Sequence, residues 1–474
     1  MNNHIRSGND YLTKGDLINA QNVFVQLLKS EPNNGMGYLG LGKVAKAAFQ
    51  YDQAINLLQK ACHLLDKQPE PLLELADAFS VVHAPEDAQT VLRYAYENCP
   101  QDKAVHSALV QHYISTAQNT QALPLLRSQI TSTDPVFAAY GWLDLIRIQG
   151  QPLSNDQWQL IHISYQSSTA NSHHRMLLDY ALGQAYDKQK NYSQAIEYLQ
   201  KANAYQLTLC TYRTEQMSDF FSTLRACYQK VSFAKDSANP LRNRVTPVFI
   251  LGLPRTGSTL LEQLLCQHTE VATCGEKAYL SQFSVPYLEK MTQLAYPHLA
   301  SKLAELDTSK VSEHYIKLLS MGLNEPFIIN KLPANFQNIG LIYQLFTNAK
   351  VIHVTRNIKD VSVSIFKNYF AENEPYFCDL DEFSKYVSLY KKQMQFWEAL
   401  LPNSILTVKY EDLAAEPKQV INKVLKYIGL EWQDSCVTAM DGKGTINTLS
   451  AAQVRKPIHN KSIGQWQNYQ GLFN

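Results

Sequence analysis

Alanine returns every 34 residues through the first part of the chain, at Ala20, Ala54, Ala88 and Ala122. Other columns keep the same phase: Tyr11, Ala45, Phe79 and Tyr113; Phe24, Leu58, Leu92 and Leu126; Gly8, Gly42 and Ala76, with Val110 departing. A period of this length allows two short helices and their turns. Small residues at the eighth and twentieth positions let the paired helices approach closely, while the larger apolar columns fill the space between neighbouring pairs. One pair cannot bury its apolar face alone, so the pattern calls for a stacked array.

These columns resemble the tetratricopeptide repeat, a 34-residue helix-turn-helix. A later unit repeats the spacing with Gly183, Tyr186, Ala195, Leu199 and Ala202. The array is expected over residues 1–235, divergent at about 136–175, where Gly150-Gln151-Pro152 breaks the register. Tyr205 to Val231 reads as a further helical stretch that caps it. The resemblance implies a concave surface for a peptide or protein; the alternatives are a scaffold against the second domain or a homodimer contact. The stretch from Tyr51 to Pro100 has three basic residues against eight acidic ones, which fits either a basic ligand or a solvated face.

The whole chain of 474 residues carries 43 Lys+Arg and 42 Asp+Glu. That balance excludes a globally basic nucleic-acid binder, so any anion site has to be local. The sequence has no run of about 18 apolar residues for a membrane span and no apolar leader after Met1, so a cytoplasmic location is expected. The eight cysteines never form a C-x-x-C pair and read as free, mostly buried thiols. His173-His174 lacks a second ligand cluster and reads as a solvated loop, and no metal site is expected.

After residue 240 the pattern changes. Val248 to Leu251 is an apolar run suited to a buried parallel strand, and Leu260 to Leu265 begins an amphipathic helix. Between them, Gly252-Leu253-Pro254-Arg255-Thr256-Gly257-Ser258-Thr259 has both glycines of a phosphate cradle, in which backbone amides at a helix start face an anion. Ser258, however, occupies the place of the ATPase lysine. A nucleotide kinase or NTPase uses that lysine and a Mg²⁺-binding acid, so this class is disfavoured. The loop's cation is Arg255.

The Leu-Pro-Arg-Thr-Gly-Ser-Thr run resembles the 5′-phosphosulfate loop of sulfotransferases, which use 3′-phosphoadenosine 5′-phosphosulfate (PAPS). Further motifs follow in that family's order. Lys350 to Ser364 reads as a strand entering a helix, with Arg356 and Ser364 placed as the family's pair for the 3′-phosphate. Leu406-Thr407-Val408-Lys409-Tyr410-Glu411-Asp412 resembles the strand end that brings Tyr410 near the nucleotide. Ser450 to Ile458, with Arg455 and Lys456, and Ser462 to Trp466 resemble the loop that closes over the cofactor. Gln465 stands where relatives usually place a basic residue, and Lys461 is the candidate replacement. The likeness covers about 245–474 and is nearest to tyrosylprotein sulfotransferases and the bacterial repeat-fused proteins related to them.

The resemblance implies an α/β protein: an all-α repeat superhelix followed by a P-loop-like parallel-sheet domain at 245–474. It implies PAPS as donor, adenosine 3′,5′-bisphosphate as product and no metal requirement. Glu276, in Thr273-Cys274-Gly275-Glu276-Lys277, is the implied base, with Lys277 where the tyrosylprotein branch has a second glutamate. Lys331, Arg255 and Ser450 are implied to stabilise transition-state charge, while Thr256, Gly257, Ser258 and Thr259 cradle the donor. Tyr279, Phe283, Phe366, Tyr369 and Phe370 are candidates for an acceptor pocket or for core. Peptide tyrosine, a saccharide, a lipid and a small phenol all suit this chemistry. A non-catalytic adaptor with a vestigial second domain is the rival from another class.

Overall fold

The computed structural model describes residues 2–233, 245–437, 458 and 460–473. Contacts divide the chain into two compact units, 1–125 with 321–323, and 126–320 with 324–474.

The first unit is built of antiparallel helix pairs: Asn2–Thr13 with Leu17–Ser30, Gly35–Ala47 with Tyr51–Leu64, and Pro69–Val81 with Pro85–Asn98, followed by Lys103–Ser115. The 34-residue columns are its interior. Ala20, Ala54, Ala88 and Ala122 are wholly buried, as are Phe24 and Leu58. The small column is small for a steric reason. A Cβ on Gly8 would sit 2.5 Å from the Phe24 ring, and one on Gly42 would sit 2.7 Å from the Leu58 side chain. Side-chain caps from Asp16, Asn34 and Asp102 begin three of the helices, and Pro69 and Pro85 begin two more without them.

In the second unit, helices Pro135–Ile148, Asn155–Ser167, His173–Lys188 and Tyr192–Thr208 continue the pattern. The divergent region is therefore still helical, entered through Gly150 at φ +75° and a capping box between Ser154 and Gln157. Two expectations need correction. His173-His174 opens a helix instead of lying in a loop, with His173 Nε2 3.1 Å from the Tyr140 hydroxyl. The stretch from Tyr205 to Val231 does not cap the array. Its helix Met217–Tyr228 buries its aromatic face beside the sheet, Phe221 stacking on Phe336 and Tyr228 meeting Trp397 edge-on.

The sheet has five parallel strands in the order β2-β3-β1-β4-β5. They are β1 (Thr246–Gly252), β2 (Val271–Gly275), β3 (Phe327–Lys331), β4 (Lys350–Thr355) and β5 (Ile405–Lys409). Strand β1 is central and buried on both faces, as its continuous apolar run requires. Leu261, Leu264, Ile421, Val424 and Leu425 pack on one face; on the other, Phe249, Tyr315 and Phe346 form an aromatic cluster. The chain leaves β1 toward one side and resumes at β4 on the other. The loops after β1 and β4 therefore diverge, and the crevice at their carboxyl ends is where open α/β sheets bind ligands.

Candidate active site

The loop after β1 is shaped by two glycines that nothing larger can replace. Gly252 has φ +146°, and a Cβ there would lie 2.5 Å from the Val354 carbonyl oxygen. Gly257, at φ +93°, caps the helix Ser258–Leu265 and passes so close to Tyr410 that a Cβ would lie 2.4 Å from its ring. Between them Arg255 is held at φ +66°. A non-glycine residue in that region costs about 1–2 kcal/mol, and such strain is typical of functional loops. The Thr256 hydroxyl turns inward and donates to the Leu253 carbonyl at 2.8 Å, so it braces the loop.

Two arginines neighbour one another at this loop. Arg255 Nε donates to Ser364 Oγ at 3.0 Å, and Arg356 donates to the Arg255 carbonyl oxygen at 3.1 Å. Burial, then the charge of Arg356, lowers the Arg255 pKa to about 10, against the opposing pull of Glu276; Arg255 is still a cation at neutral pH. Like charges this close call for an anion. Arg356 also lies over the Tyr410 ring, 4.6 Å from its centroid, and donates to the Ser462 carbonyl. Its Nε is buried and has no hydrogen-bond partner among the described residues. An orphaned donor on one of two neighbouring cations fits a phosphorylated nucleotide. The helix Ile358–Phe366 that carries Ser364 starts at Asn357, whose side chain accepts from the Lys359 and Asp360 amides.

The third cation is Lys331, wholly buried at the end of β3. Its ammonium is ion-paired with Glu276, just past β2, and lies 3.7 Å from Glu262 Oε2. Glu262 was not anticipated. It is buried on the helix after the loop, accepts from Thr273 Oγ1 at 2.6 Å, and burial raises its pKa against the pull of Lys331. A buried ammonium without such partners would be strongly destabilising. The only hint in the sequence was a charge beside Gln263 among the leucines from Leu260 to Leu265.

Gly252, Arg255, Gly257, Ser258, Thr259 and Glu276 share one cavity of about 540 Å³, closed on the far side by Tyr369, Phe370, Tyr376 and Phe377. Arg356 lies on a second cavity of about 510 Å³ with Lys409, Ile463 and Trp466. Ser364, on the helix after β4, bonds to Arg255 of the loop, and Arg356 bonds to the same loop through the Arg255 carbonyl. The segment at 460–473 is docked by Asp360, whose carboxylate accepts from the Gly464 and Trp466 amides at 2.8 and 3.0 Å. Lys461 is exposed and lines neither cavity. Ser450, Arg455 and Lys456 lie outside the described residues. Of the candidate aromatics, Tyr369 and Phe370 line the first cavity, whereas Tyr279 and Phe366 are core and Phe283 stacks on His314.

The sulfotransferase family matches residues 247–434, from β1 through the helix Pro417–Ile428. This region is a sulfotransferase-family domain. Over 81% of its length the chain is 27% identical to an uncharacterized protein of Aquifex aeolicus (strain VF5), covering 51% of it. It is 23% identical to a protein-tyrosine sulfotransferase of Drosophila melanogaster over 47% of this chain and 48% of that one. A flavonol 4′-sulfotransferase of Flaveria chlorifolia is 25% identical over 48% of this chain and 74% of its own. The chain spans about half the length of the Aquifex and Drosophila relatives it matches. Among the described residues of the sulfotransferase domain and the helices before it, no helix is long and apolar enough to cross a membrane, and no group of three His, Cys, Asp or Glu could hold a metal.

Proposed function

We propose that the protein transfers a sulfuryl group from PAPS to a phenolic hydroxyl, with residues 245–474 as the catalytic region and 1–235 as its repeat array. The observation that carries this reading is that Arg255 and Glu276 line one cavity over a phosphate loop that lacks the ATPase lysine, with buried Lys331 ion-paired to Glu276 behind it. The two relatives whose titles name an acceptor act on protein tyrosine in one case and a flavonol in the other, which supports an aromatic acceptor.

PAPS supplies the activated sulfuryl group and the 3′,5′-bisphosphate leaving group. Arg356 and Ser364 are proposed to hold the 3′-phosphate, Tyr410 the nucleoside side, and the amides at Gly257 to Thr259 the 5′ end. Glu276 takes the proton of the acceptor hydroxyl as its oxygen bonds to sulfur. Arg255 and Lys331 stabilise the electron pair left on the departing phosphate oxygen. Lys331 is ion-paired with Glu276, and Glu276 lines the cavity. Ser450, Arg455, Lys456 and Lys461 are proposed to complete the donor site.

The test is transfer from ³⁵S-labelled PAPS to a panel of phenols, comparing the protein with Glu276→Gln and Lys331→Ala. Each variant is expected to lose about 10²-fold or more in kcat, with binding of adenosine 3′,5′-bisphosphate retained by Glu276→Gln. Equal transfer by Glu276→Gln removes the base assignment. No transfer, together with no bisphosphate binding by the unaltered protein, removes the enzyme reading and leaves an adaptor.

A further inference from the structure

The acceptor side of the cavity has a chemical character of its own. Its wall is the segment from Tyr369 to Phe377, together with Tyr386. Phe370 and Phe377 stack at 4.2 Å with 16° between their planes, and Tyr376 and Tyr386 at 3.9 Å with 7°. Such ring faces suit a flat aromatic guest and attract cations. Two carboxylates, Glu372 and Glu374, stand in the same wall. Among the described residues lining the cavity, Arg255 is the only Lys or Arg, and it belongs to the phosphate loop.

One of the carboxylates is held in place: Glu374 accepts the hydroxyl hydrogen of Tyr212, from the segment that follows the last repeat helix. The backbone that leads into the wall and the wall's Phe370 are tied to those helices by three side-chain amides. Asn203 donates to the Phe366 carbonyl at 2.9 Å, Gln206 to that of Phe370 at 2.6 Å and Gln184 to that of Lys367 at 3.0 Å. Burial and then hydrogen bonding to Tyr140 push the Tyr369 hydroxyl up, with a smaller contribution from Glu372, and burial and Tyr386 do the same at Tyr376, with a smaller contribution from Glu374.

We infer that the acceptor is a phenol carrying a positive charge near the ring, an aryl alkylamine or a tyrosine flanked by basic residues, and that Glu372 and Glu374 set this preference. The inference rests on the sulfuryl-transfer reading of the same cavity. A cationic acceptor finds both the ring faces and the two carboxylates, whereas an anionic one meets like charge across a partly enclosed cavity.

The test uses the full chain with PAPS and three phenols of similar size: tyramine, 4-propylphenol and 3-(4-hydroxyphenyl)propionate. The expected kcat/KM for tyramine is about tenfold above the neutral phenol and about a hundredfold above the carboxylate. Glu372→Gln, at an exposed position, is expected to shrink the tyramine-to-carboxylate ratio by about tenfold, chiefly through KM. Glu374→Gln adds to this, and Glu372→Gln covers the case in which loss of the Tyr212 contact impairs folding. Equal kcat/KM for the three phenols, or a preference for the carboxylate, overturns the inference while leaving sulfuryl transfer standing. If none is sulfated, the transfer reading fails separately. Calorimetric binding to protein loaded with adenosine 3′,5′-bisphosphate then decides the preference: tyramine tightest supports it, equal binding overturns it.

Discussion

At the scale of single residues, the molecule shows how far burial changes a side chain's behaviour. Arg255 was legible as the loop's cation because ATPase loops place theirs elsewhere. Its partner Ser364 was legible only as a residue eight positions after Arg356, and the structure puts its hydroxyl on Arg255. Glu262 was not legible, because its role depends on Lys331 arriving from a strand distant in sequence. His353 on β4 shows the same dependence on its surroundings. It is nearly fully buried, and that burial lowers its pKa from 6.5 to about 4. Its Nε2 meets the Tyr390 hydroxyl, and only the half-exposed Glu398 lies near Nδ1, at 4.0 Å. The unfolded chain therefore binds a proton here at a pH where the folded chain does not. The stability this neutral imidazole contributes is fully present above pH 6.5 and is lost as pH falls toward 4, on the order of 3 kcal/mol at most. Urea titrations between pH 7.5 and 4.5 are expected to show a decline that His353→Gln reduces; an equally steep decline in the variant would contradict the assignment.

At the scale of elements, helix pairs and strands followed from periodicity, whereas turn conformation did not. Each turn within a helix pair passes through the left-handed region at the same column: Gly15, Phe49, His83 and Ala117, with φ from 59° to 72°, and Lys190 in the later unit at 62°. Only the first is glycine, so composition concealed the column. The helices on either side are held by their buried faces, and that packing imposes the turn on whatever residue sits there. Ala117→Gly should therefore stabilise the protein, since relief of about 1–2 kcal/mol of backbone strain outweighs the roughly 0.5–1 kcal/mol entropic cost of glycine. Thermal denaturation would check the sign. A lower midpoint for the variant would show that the turn is unstrained.

At the scale of the whole molecule, the sequence reading places its boundary where the repeat columns end, near residue 235. Contacts instead group the helices from 126 onward with the sheet. The amides of Gln184, Asn203 and Gln206 hold the cavity wall, Lys367 and Tyr469 both meet Asp187, and Tyr228 fills space that a Cβ on Gly340 would occupy. Residues 245–474 alone would expose Phe336 and Trp397 and leave wall carbonyls without their donors, which together cost several kcal/mol. We expect 245–474 to aggregate on expression and 126–474 to be soluble, with cooperative unfolding and intact near-ultraviolet dichroism. Cooperative folding of 245–474 with the same midpoint would show the helices to be dispensable.

The repeat period, the parallel-sheet class and the phosphate loop with its arginine were determined by the sequence alone, because each depends on residues close together along the chain. Pairings between distant residues were decided by the tertiary structure: Arg255 with Ser364, Lys331 with two glutamates, and the backbone at 366–370 with the repeat helices. Local patterns record which faces are apolar and which turns are tight. They do not record which buried charge will meet which partner, since that follows from the order of strands in the sheet and from the helices packed against it.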